Sequence, residues 1–384
     1  MGLNDRFGPS GTLRSRDKFR ALDWALIGLI TAVCCIGFGL LYSVAGGSLD
    51  PWAERQILRF LPGVAIMIVM ALIDIRIWFQ LAYPIYGVIL LLLVAVEFVG
   101  RVGKGAERWI DIGPLQLQPS ELMKIAVILA LSRFLHGILL EDVSRPTRLL
   151  PALLLILIPA GLVLMQPNLG TATIIIVGGC GLIFLAGLSW KIILPVVALV
   201  VVAVPVGWEF ALKDYQKQRV YTFLDPESDP LGAGYNITQS KIALGSGGVF
   251  GKGFLQGTQS RLNFLPEKQT DFIFTVLGEE FGLFGLFILM GLYTGILGRG
   301  VAIALDARSQ FARLVAMGIC LNFLLYILIN TSMSMGLIPV VGIPLPLVSY
   351  GGTALLTVLF GFGLLLCVQV HRSVDIPRSA AALW

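Results

Sequence analysis

Long apolar runs separated by short polar segments dominate the hydrophobic pattern of this sequence. A helix of about 20 apolar residues crosses the roughly 30 Å hydrocarbon core of a bilayer, whereas the strands of an outer-membrane barrel alternate over about 10 residues. The pattern therefore predicts an all-α polytopic membrane protein with ten transmembrane helices. Their predicted positions are 22–44, 57–75, 78–100, 119–136, 149–165, 170–188, 191–210, 272–297, 309–334 and 350–370.

The segments between and outside these spans divide the chain further. Residues 1–21 form a basic N-terminal tail, 22–370 the ten-span membrane domain, and 371–384 a short C-terminal tail. A long polar connection, 211–270, joins spans seven and eight. Residues 335–349 are rich in proline and glycine, and irregular backbone at membrane depth is tolerated only when it is buried or lines a cavity. We therefore expect 335–349 to form a re-entrant loop.

Composition and charge agree with this prediction and add an orientation. Of the 384 residues, 57% are apolar and 13% charged, against about 45–50% and 25% in soluble domains. The net charge is +5, and basic residues are concentrated in the segments that lie on the same side as the N-terminus. By the positive-inside rule both termini are cytoplasmic and 211–270 is extracytoplasmic. Since the basic excess records orientation, we expect no nucleic-acid partner.

A proline-bounded polar segment ends at Asp271, at the outer start of span eight. Aspartate is a preferred helix N-cap and suits the positive helix end, so one interpretation is a cap. The other is a general base that faces an external cavity, and the pattern leaves both open. Glu279 and Glu280 follow on the same helix. Glu280 is about 13 Å from Asp271 at 1.5 Å per residue, so we expect these two acids to be structural or metal-supporting.

Basic residues near the outer face suggest an anion site. Lys104 and Arg108 lie where positive charge opposes the insertion rule, and Lys124 follows at the start of span four. Such side chains bind phosphate oxygens well. Glu121 is three residues from Lys124 on one helix face, so an internal ion pair is the alternative. Glu97 could partner one of the cations. The helix breaks on this side predict a cavity for an amphiphilic, anionic substrate.

Two familiar kinds of site are excluded. The only histidines, His136 and His371, fall on the predicted inner side, which excludes an external serine–histidine triad or histidine metal site. The glycine-rich stretch 245–253 lacks the spacing and the hydroxyl residue of a P-loop, which argues against nucleotide hydrolysis.

Several motifs resemble the SEDS family (shape, elongation, division and sporulation), and more narrowly its RodA-type members. The motifs are Gln118-Pro119-Ser120-Glu121, Asp271-Phe272-Ile273-Phe274 with Gly278-Glu279-Glu280, Pro339-Val340-Val341-Gly342, and Pro344-Leu345-Pro346 with Ser349-Tyr350-Gly351-Gly352. The resemblance covers almost the whole chain after the N-terminal tail. Two positions depart from it, because Asn168 stands where the family commonly has aspartate and Gln269 where it commonly has histidine. No charge or proton relay is therefore assigned to either.

The resemblance implies a peptidoglycan glycosyltransferase in the bacterial cytoplasmic membrane, with its active site facing the periplasm. It would polymerise lipid II into glycan strands during cell elongation and rod-shape maintenance. Asp271 matches the family's essential acid and would act as general base on the acceptor hydroxyl. The family also implies a class B penicillin-binding protein as partner, a transpeptidase of the PBP2 type, together with other proteins of the elongation complex.

The leaving group implied by the resemblance is undecaprenyl pyrophosphate, whose developing charge needs cations. Lys104, Arg108, Lys124 and Arg219 are the candidates, and a divalent cation, Mg²⁺ or Mn²⁺, could serve as well. Glu121 and Ser349 complete the expected substrate-binding set, with Glu97, Glu279 and Glu280 in supporting roles.

Two other functions stay open. A flippase that moves lipid II would also use helix breaks and membrane acids, and a scaffold would only activate its partner enzyme. No inverted repeat is visible, and the breaks crowd one face instead of the midplane. This distribution favours chemistry at the outer leaflet.

Overall fold

The computed structural model describes residues 15–377, except 100, 104–105, 113–114, 196–197, 199–216, 218–220, 226–232, 263 and 266. Helices dominate this part of the chain. In chain order they are α1 (Ser15–Arg20), α2 (Trp24–Val44), α3 (Ala53–Leu72), α4 (Ile75–Val99), α5 (Pro119–His136), α6 (Pro146–Met165), α7 (Leu169–Leu185), α8 (Ala233–Ser246), α9 (Thr258–Arg261), α10 (Ile273–Asp306), α11 (Gln310–Ser334) and α12 (Gly352–Val370).

Nine of the ten predicted spans overlap one of these helices. Seven helices of the described part are long and apolar enough to cross a membrane: α2, α3, α4, α6, α10, α11 and α12. The protein is therefore a helical, multi-pass membrane protein. The seventh predicted span, 191–210, lies largely outside the described residues.

Helix boundaries follow local capping chemistry. The Asp23 carboxylate accepts a hydrogen bond of 3.0 Å from Leu26 N at the start of α2, and Ser309 caps α11 in the same way through Ala312 N at 3.2 Å. α5 begins with Pro119 at its first position, where its missing N–H costs nothing. The predicted span eight ends at residue 297, but α10 continues to Asp306. Arg299, within this extension, forms an ion pair with Asp23 at 2.6 Å.

A small antiparallel sheet corrects the prediction of a purely helical protein. Its strands are β1 (Arg101–Gly103), β2 (Ala106–Ile112) and β3 (Leu115–Leu117), in the order β1-β2-β3. The sequence alternates between apolar and polar residues in 110–112 and 115–117, which is the period of a strand. These segments are too short to be recognised as strands between the long apolar runs on either side.

The long connection 211–270 packs against the helix bundle through α8. Ser240 Oγ lies 2.7 Å from Thr275 Oγ1 of α10 and donates a 2.6 Å hydrogen bond to the Ser334 carbonyl at the end of α11. α8 is therefore held against the start of α10 and the end of α11.

A second part of this connection, the glycine-rich segment 247–253, forms backbone hydrogen bonds with α10. At Gly282 the backbone has φ 63° and ψ −160°, which interrupts the helix. Backbone hydrogen bonds of about 3 Å then join the two segments: Lys252 N to Glu279 O, Gly253 N to Glu280 O, Leu283 N to Gly248 O, and Phe284 N to Val249 O. The glycine-rich segment 247–253 thus satisfies the polar groups that the kink exposes.

Two large apolar clusters lie among the described residues of the bundle. The larger is shared by α2, α3, α10, α11 and α12, and the second lies among α4, α5, α6 and α7. The predicted re-entrant segment 335–349 is non-helical, as expected, and contributes buried Leu345, Leu347 and Val348 to the larger core. It is therefore wedged into the protein, which is where irregular backbone is tolerated.

Candidate active site

Asp271 lies in a turn, 267–272, at the head of α10. The helix begins at Ile273 and its N-cap position is Phe272, so Asp271 precedes the cap. Its backbone N–H donates to the Glu267 carbonyl at 3.1 Å, and its side chain is half-buried. Asp271 is therefore not the N-cap residue of α10, and its role as a general base stays a prediction.

The carboxylate lies beside the proline-rich loop, 335–351, that follows α11. Gly342 has φ 70°, and a Cβ built on it would be 3.6 Å from Asp271 Oδ2. Glycine suits this position for two reasons. The backbone conformation here is strained for residues with a side chain, and the missing side chain leaves space next to the Asp271 carboxylate.

Side chains on both sides fasten the Asp271 turn to this loop. Asn330 of α11 donates from Nδ2 to the carbonyls of Asp271 at 3.0 Å and Ile343 at 2.7 Å. The Ser349 hydroxyl donates to the Thr270 carbonyl at 2.6 Å and accepts from Leu345 N at 2.8 Å. The residues that flank Asp271 are therefore held from two directions.

The turn also contacts the long connection. Lys268 Nζ donates to the Ser260 carbonyl of α9 at 2.5 Å, and burial lowers the pKa of this ammonium group. Gln269, the departure from the family pattern, contributes its carbonyl, which accepts from Tyr350 N at 2.8 Å. Asn168, the other departure, caps α7 by accepting from Thr171 N at 3.3 Å.

Glu121 and Lys124 form the internal ion pair that the sequence offered as one alternative. Lys124 Nζ lies 2.6 Å from Glu121 Oε1, and Tyr326 of α11 donates from its hydroxyl to Glu121 Oε2 at 2.8 Å while contacting Lys124 Nζ. All three residues are buried. Tyr326 is four residues before Asn330, so the cluster lies about one helical turn, some 6 Å, below the residue that holds Asp271.

Glu279 and Glu280 lie where the glycine-rich segment 247–253 meets α10. Three groups donate to Glu279 Oε1: Lys252 Nζ at 2.8 Å, Thr258 Oγ1 at 3.0 Å and Gln259 N at 3.0 Å. The Ser43 hydroxyl of α2 donates to Glu280 Oε1. In the part of the chain that is described, no group of three or more His, Cys, Asp or Glu side chains is placed to hold a metal ion.

A family comparison covers most of the chain. The family model FTSW_RODA_SPOVE, described as "Cell cycle protein", matches residues 20–374. The chain belongs to this family. The match spans the apolar helices, Asp271 and the proline-rich loop, so the SEDS resemblance predicted from the motifs is confirmed.

Individual relatives narrow the position within the family. The peptidoglycan glycosyltransferase MrdB of Escherichia coli K12 is 45% identical over 353 residues, which cover 92% of this chain and 95% of the relative. The peptidoglycan glycosyltransferase RodA of Treponema pallidum is 30% identical over 425 residues, covering 91% and 98%. These matches confirm the RodA-type assignment.

Solved structures of this family share the fold. One, described as "Structural coordination of polymerization and crosslinking by a peptidoglycan synthase complex", has a TM-score of 0.81 at 35% identity, covering 92% of this chain and 99% of that chain. The crystal structure of Thermus thermophilus rod shape determining protein RodA has a TM-score of 0.69 at 32% identity, covering 92% and 98%.

Other predicted residues of this SEDS protein lie apart from Asp271 or outside the description. Glu97 is exposed near the end of α4. Lys104 and Arg219 fall outside the described residues, and Arg108 lies in β2 with its side chain outside them. The sheet does approach the site, because the Thr353 hydroxyl at the start of α12 donates to the Gln116 carbonyl at 2.5 Å.

Sequence reasoning missed three residues around the site. Arg59 of α3 lies with its guanidinium carbon 5.4 Å from the centre of the Tyr350 ring. Asn330 and Tyr326 are polar positions within the long apolar run of span nine. A polar side chain inside a membrane span is itself a signal of function or a specific partner, and it could have found both.

Proposed function

We propose that this protein is a peptidoglycan glycosyltransferase that polymerises lipid II, with Asp271 as its general base. The single observation that carries the assignment is the position of Asp271, half-buried at the head of α10 and 3.6 Å from a Cβ position on Gly342. Relatives of 45% and 30% identity are named for this activity. We place the reaction in cell elongation and rod-shape maintenance, following the RodA-type relatives.

In the proposed reaction Asp271 accepts the proton of the acceptor sugar's hydroxyl group. The acceptor oxygen attacks the anomeric carbon of the donor, and the bond from that carbon to the pyrophosphate oxygen breaks. Undecaprenyl pyrophosphate leaves with the bonding electron pair. A single carboxylate and a direct displacement predict inversion at the anomeric carbon.

The leaving pyrophosphate needs positive charge nearby. Lys104, Arg108 and Arg219 remain candidates from the sequence, and Arg59 is added because it lies against Tyr350 at the end of the proline-rich loop. Lys124 is paired with Glu121 below the site, so we propose that it supports the site's floor. The described residues offer no cluster of metal ligands, and no step here depends on Mg²⁺ or Mn²⁺.

The proposed orientation places Asp271 on the extracytoplasmic side of the inner membrane. Ten spans, cytoplasmic tails at 1–21 and 371–384, a periplasmic connection 211–270 and a re-entrant loop at 335–349 make up this arrangement. The distribution of basic residues supports it. A class B penicillin-binding protein of the PBP2 type is the proposed partner, supported by the likeness to a synthase complex that combines polymerisation and crosslinking.

Purified protein with fluorescent lipid II tests the assignment. We expect glycan chains from the native protein and essentially none from Asp271→Asn, whereas Asp306→Asn, an exposed acid at the other end of α10, should retain the native rate. Polymer from Asp271→Asn at the native rate would remove this residue from the mechanism. Lipid II translocation into vesicles without polymer would point to a flippase, and activity found only in the partner enzyme would point to a scaffold.

A further inference from the structure

Asn330 joins two segments that are far apart in the sequence. Its side chain is fully buried on α11, and its amide nitrogen donates both hydrogens, one to the Asp271 carbonyl at 3.0 Å and one to the Ile343 carbonyl at 2.7 Å. One side chain thus ties the turn that carries the acid to the loop that lies beside it.

The neighbours of Asn330 fix the orientation of its amide. Both contacted groups are carbonyl oxygens, which only accept hydrogen bonds, so the NH₂ group and not the oxygen must face them. Asn330 Oδ1 is buried and, within the described residues, has no hydrogen-bond partner. A buried amide oxygen without a partner costs free energy, and a leucine of similar size would avoid this cost. The two N–H donors are therefore the feature that an asparagine supplies here.

We propose that Asn330 is a positioning residue that sets where Asp271 sits relative to the proline-rich loop. This inference rests on the proposed role of Asp271 as general base. α11 is well buried over this stretch and makes a rigid support. Proton transfer requires an acceptor within hydrogen-bond reach, and a displacement of about 1 Å can cost about 100-fold in rate. Ser349 holds the neighbouring Thr270 carbonyl, so loss of Asn330 loosens the turn without releasing it.

Asn330→Leu is the decisive variant, because it removes both donors and leaves neither a buried charge nor a cavity. We expect kcat for lipid II polymerisation to fall about 10- to 100-fold. KM for lipid II should stay within about twofold, since Asn330 contacts protein carbonyls and not the substrate. The thermal midpoint should fall below that of the native protein, because the carbonyls of Asp271 and Ile343 lose their donor. Asn322→Leu, at a half-buried asparagine two turns earlier on α11, is the matched control and should retain the native kcat.

Hydrogen exchange provides a readout that does not depend on activity. In Asn330→Leu, backbone amides in 267–272 and 343–350 should exchange faster than in the native protein, while Asn322→Leu should not change them. If Asn330→Leu does not fold, Asn330→Ser replaces it, since it keeps one donor and should give an intermediate kcat.

Several results would overturn the inference. They are a native kcat in Asn330→Leu or Asn330→Ser, a raised KM with unchanged kcat, or unchanged exchange in both segments. Asp271→Asn is assayed in parallel to separate the two hypotheses. If Asp271→Asn is inactive while Asn330→Leu is fully active, only the positioning role fails. If Asp271→Asn polymerises lipid II at the native rate, the proposed function of Asp271 fails, whatever Asn330→Leu does.

Discussion

Ser349 donates a 2.6 Å hydrogen bond to the carbonyl of Thr270, the residue immediately before Asp271. The same hydroxyl oxygen accepts from Leu345 N, so its hydrogen-bonding capacity is used within the protein. The sequence placed Ser349 among the substrate-binding residues. These contacts favour a different role, in which Ser349 holds the acid turn and the proline-rich loop together.

Ser349→Ala tests this role. The substitution leaves the buried Leu345 N–H and the Thr270 carbonyl without this partner, which should cost about 1–3 kcal/mol of stability. We expect kcat to fall while KM for lipid II stays near its native value. Thr294→Ala, which removes an exposed hydroxyl bonded within α10, is the control and should change neither quantity. A raised KM with native kcat would instead return Ser349 to the substrate-binding set.

Gly342→Ala should impair catalysis more than it impairs folding. The new methyl group would stand 3.6 Å from Asp271 Oδ2, in the space beside the acid, at a residue with φ 70°. Gly46→Ala is a close match, since Gly46 has φ 73° and a Cβ there would meet no atom within 4 Å. Both variants should lose about 1–2 kcal/mol from backbone strain, measured by thermal unfolding.

Only Gly342→Ala should lose polymerisation activity, by at least about tenfold if the methyl group displaces the acid or an incoming sugar. Equal activities in the two alanine variants would mean that the space beside Asp271 is not used in the reaction.

The long helices could be predicted because a continuous run of apolar residues is enough to indicate a membrane span. The predicted starts of α5 and α7 differ from the structure by at most one residue. The sheet at 101–117 could not, since its strands are short and lie between two strong helical signals. The pairing of Arg299 with Asp23 could not be predicted either, because the two residues are distant in sequence.

The site followed the same division. Asp271 and the proline-rich loop were visible as a polar turn and as a break in an apolar run. The contacts that join them involve Asn330 and Ser349, and whether a polar side chain meets a carbonyl from another segment depends on tertiary packing. For the same reason the Glu121–Lys124 spacing suggested an ion pair but gave no sign of Tyr326.

Gly282→Ala should detach the glycine-rich segment 247–253 from α10. Residue 282 has φ 63° and ψ −160°, a region open essentially to glycine, and a Cβ there would lie 2.4 Å from Gly251 N. Strain and overpacking together should cost about 2–5 kcal/mol. Gly298→Ala on the same helix meets nothing within 4 Å and should be neutral or stabilising by up to about 1 kcal/mol.

Limited proteolysis checks the location of this effect. Cleavage within 247–262 should accelerate in Gly282→Ala and stay slow in Gly298→Ala. Equal protection from cleavage in both variants would show that Glu279 and Glu280 hold this segment without the backbone hydrogen bonds to α10.

The Glu121–Lys124 pair allows a structural role to be separated from anion binding. Lys124→Met leaves a buried carboxylate without its cation, which should cost about 3–5 kcal/mol. Adding Glu121→Gln removes the uncompensated charge, so the double variant should recover most of the lost stability, because replacing both partners of a buried pair is often close to neutral.

Activity in the double variant then decides the role of Lys124. If the pair only supports the floor of the site beneath Asn330, polymerisation should return together with the thermal midpoint. If Lys124 also neutralises the leaving pyrophosphate, the double variant should be as stable as the native protein yet remain at least about 100-fold slower, the scale of a lost charge-stabilising group. The burial of Lys124 at 3% exposure and its contact with Tyr326 lead us to expect the first result.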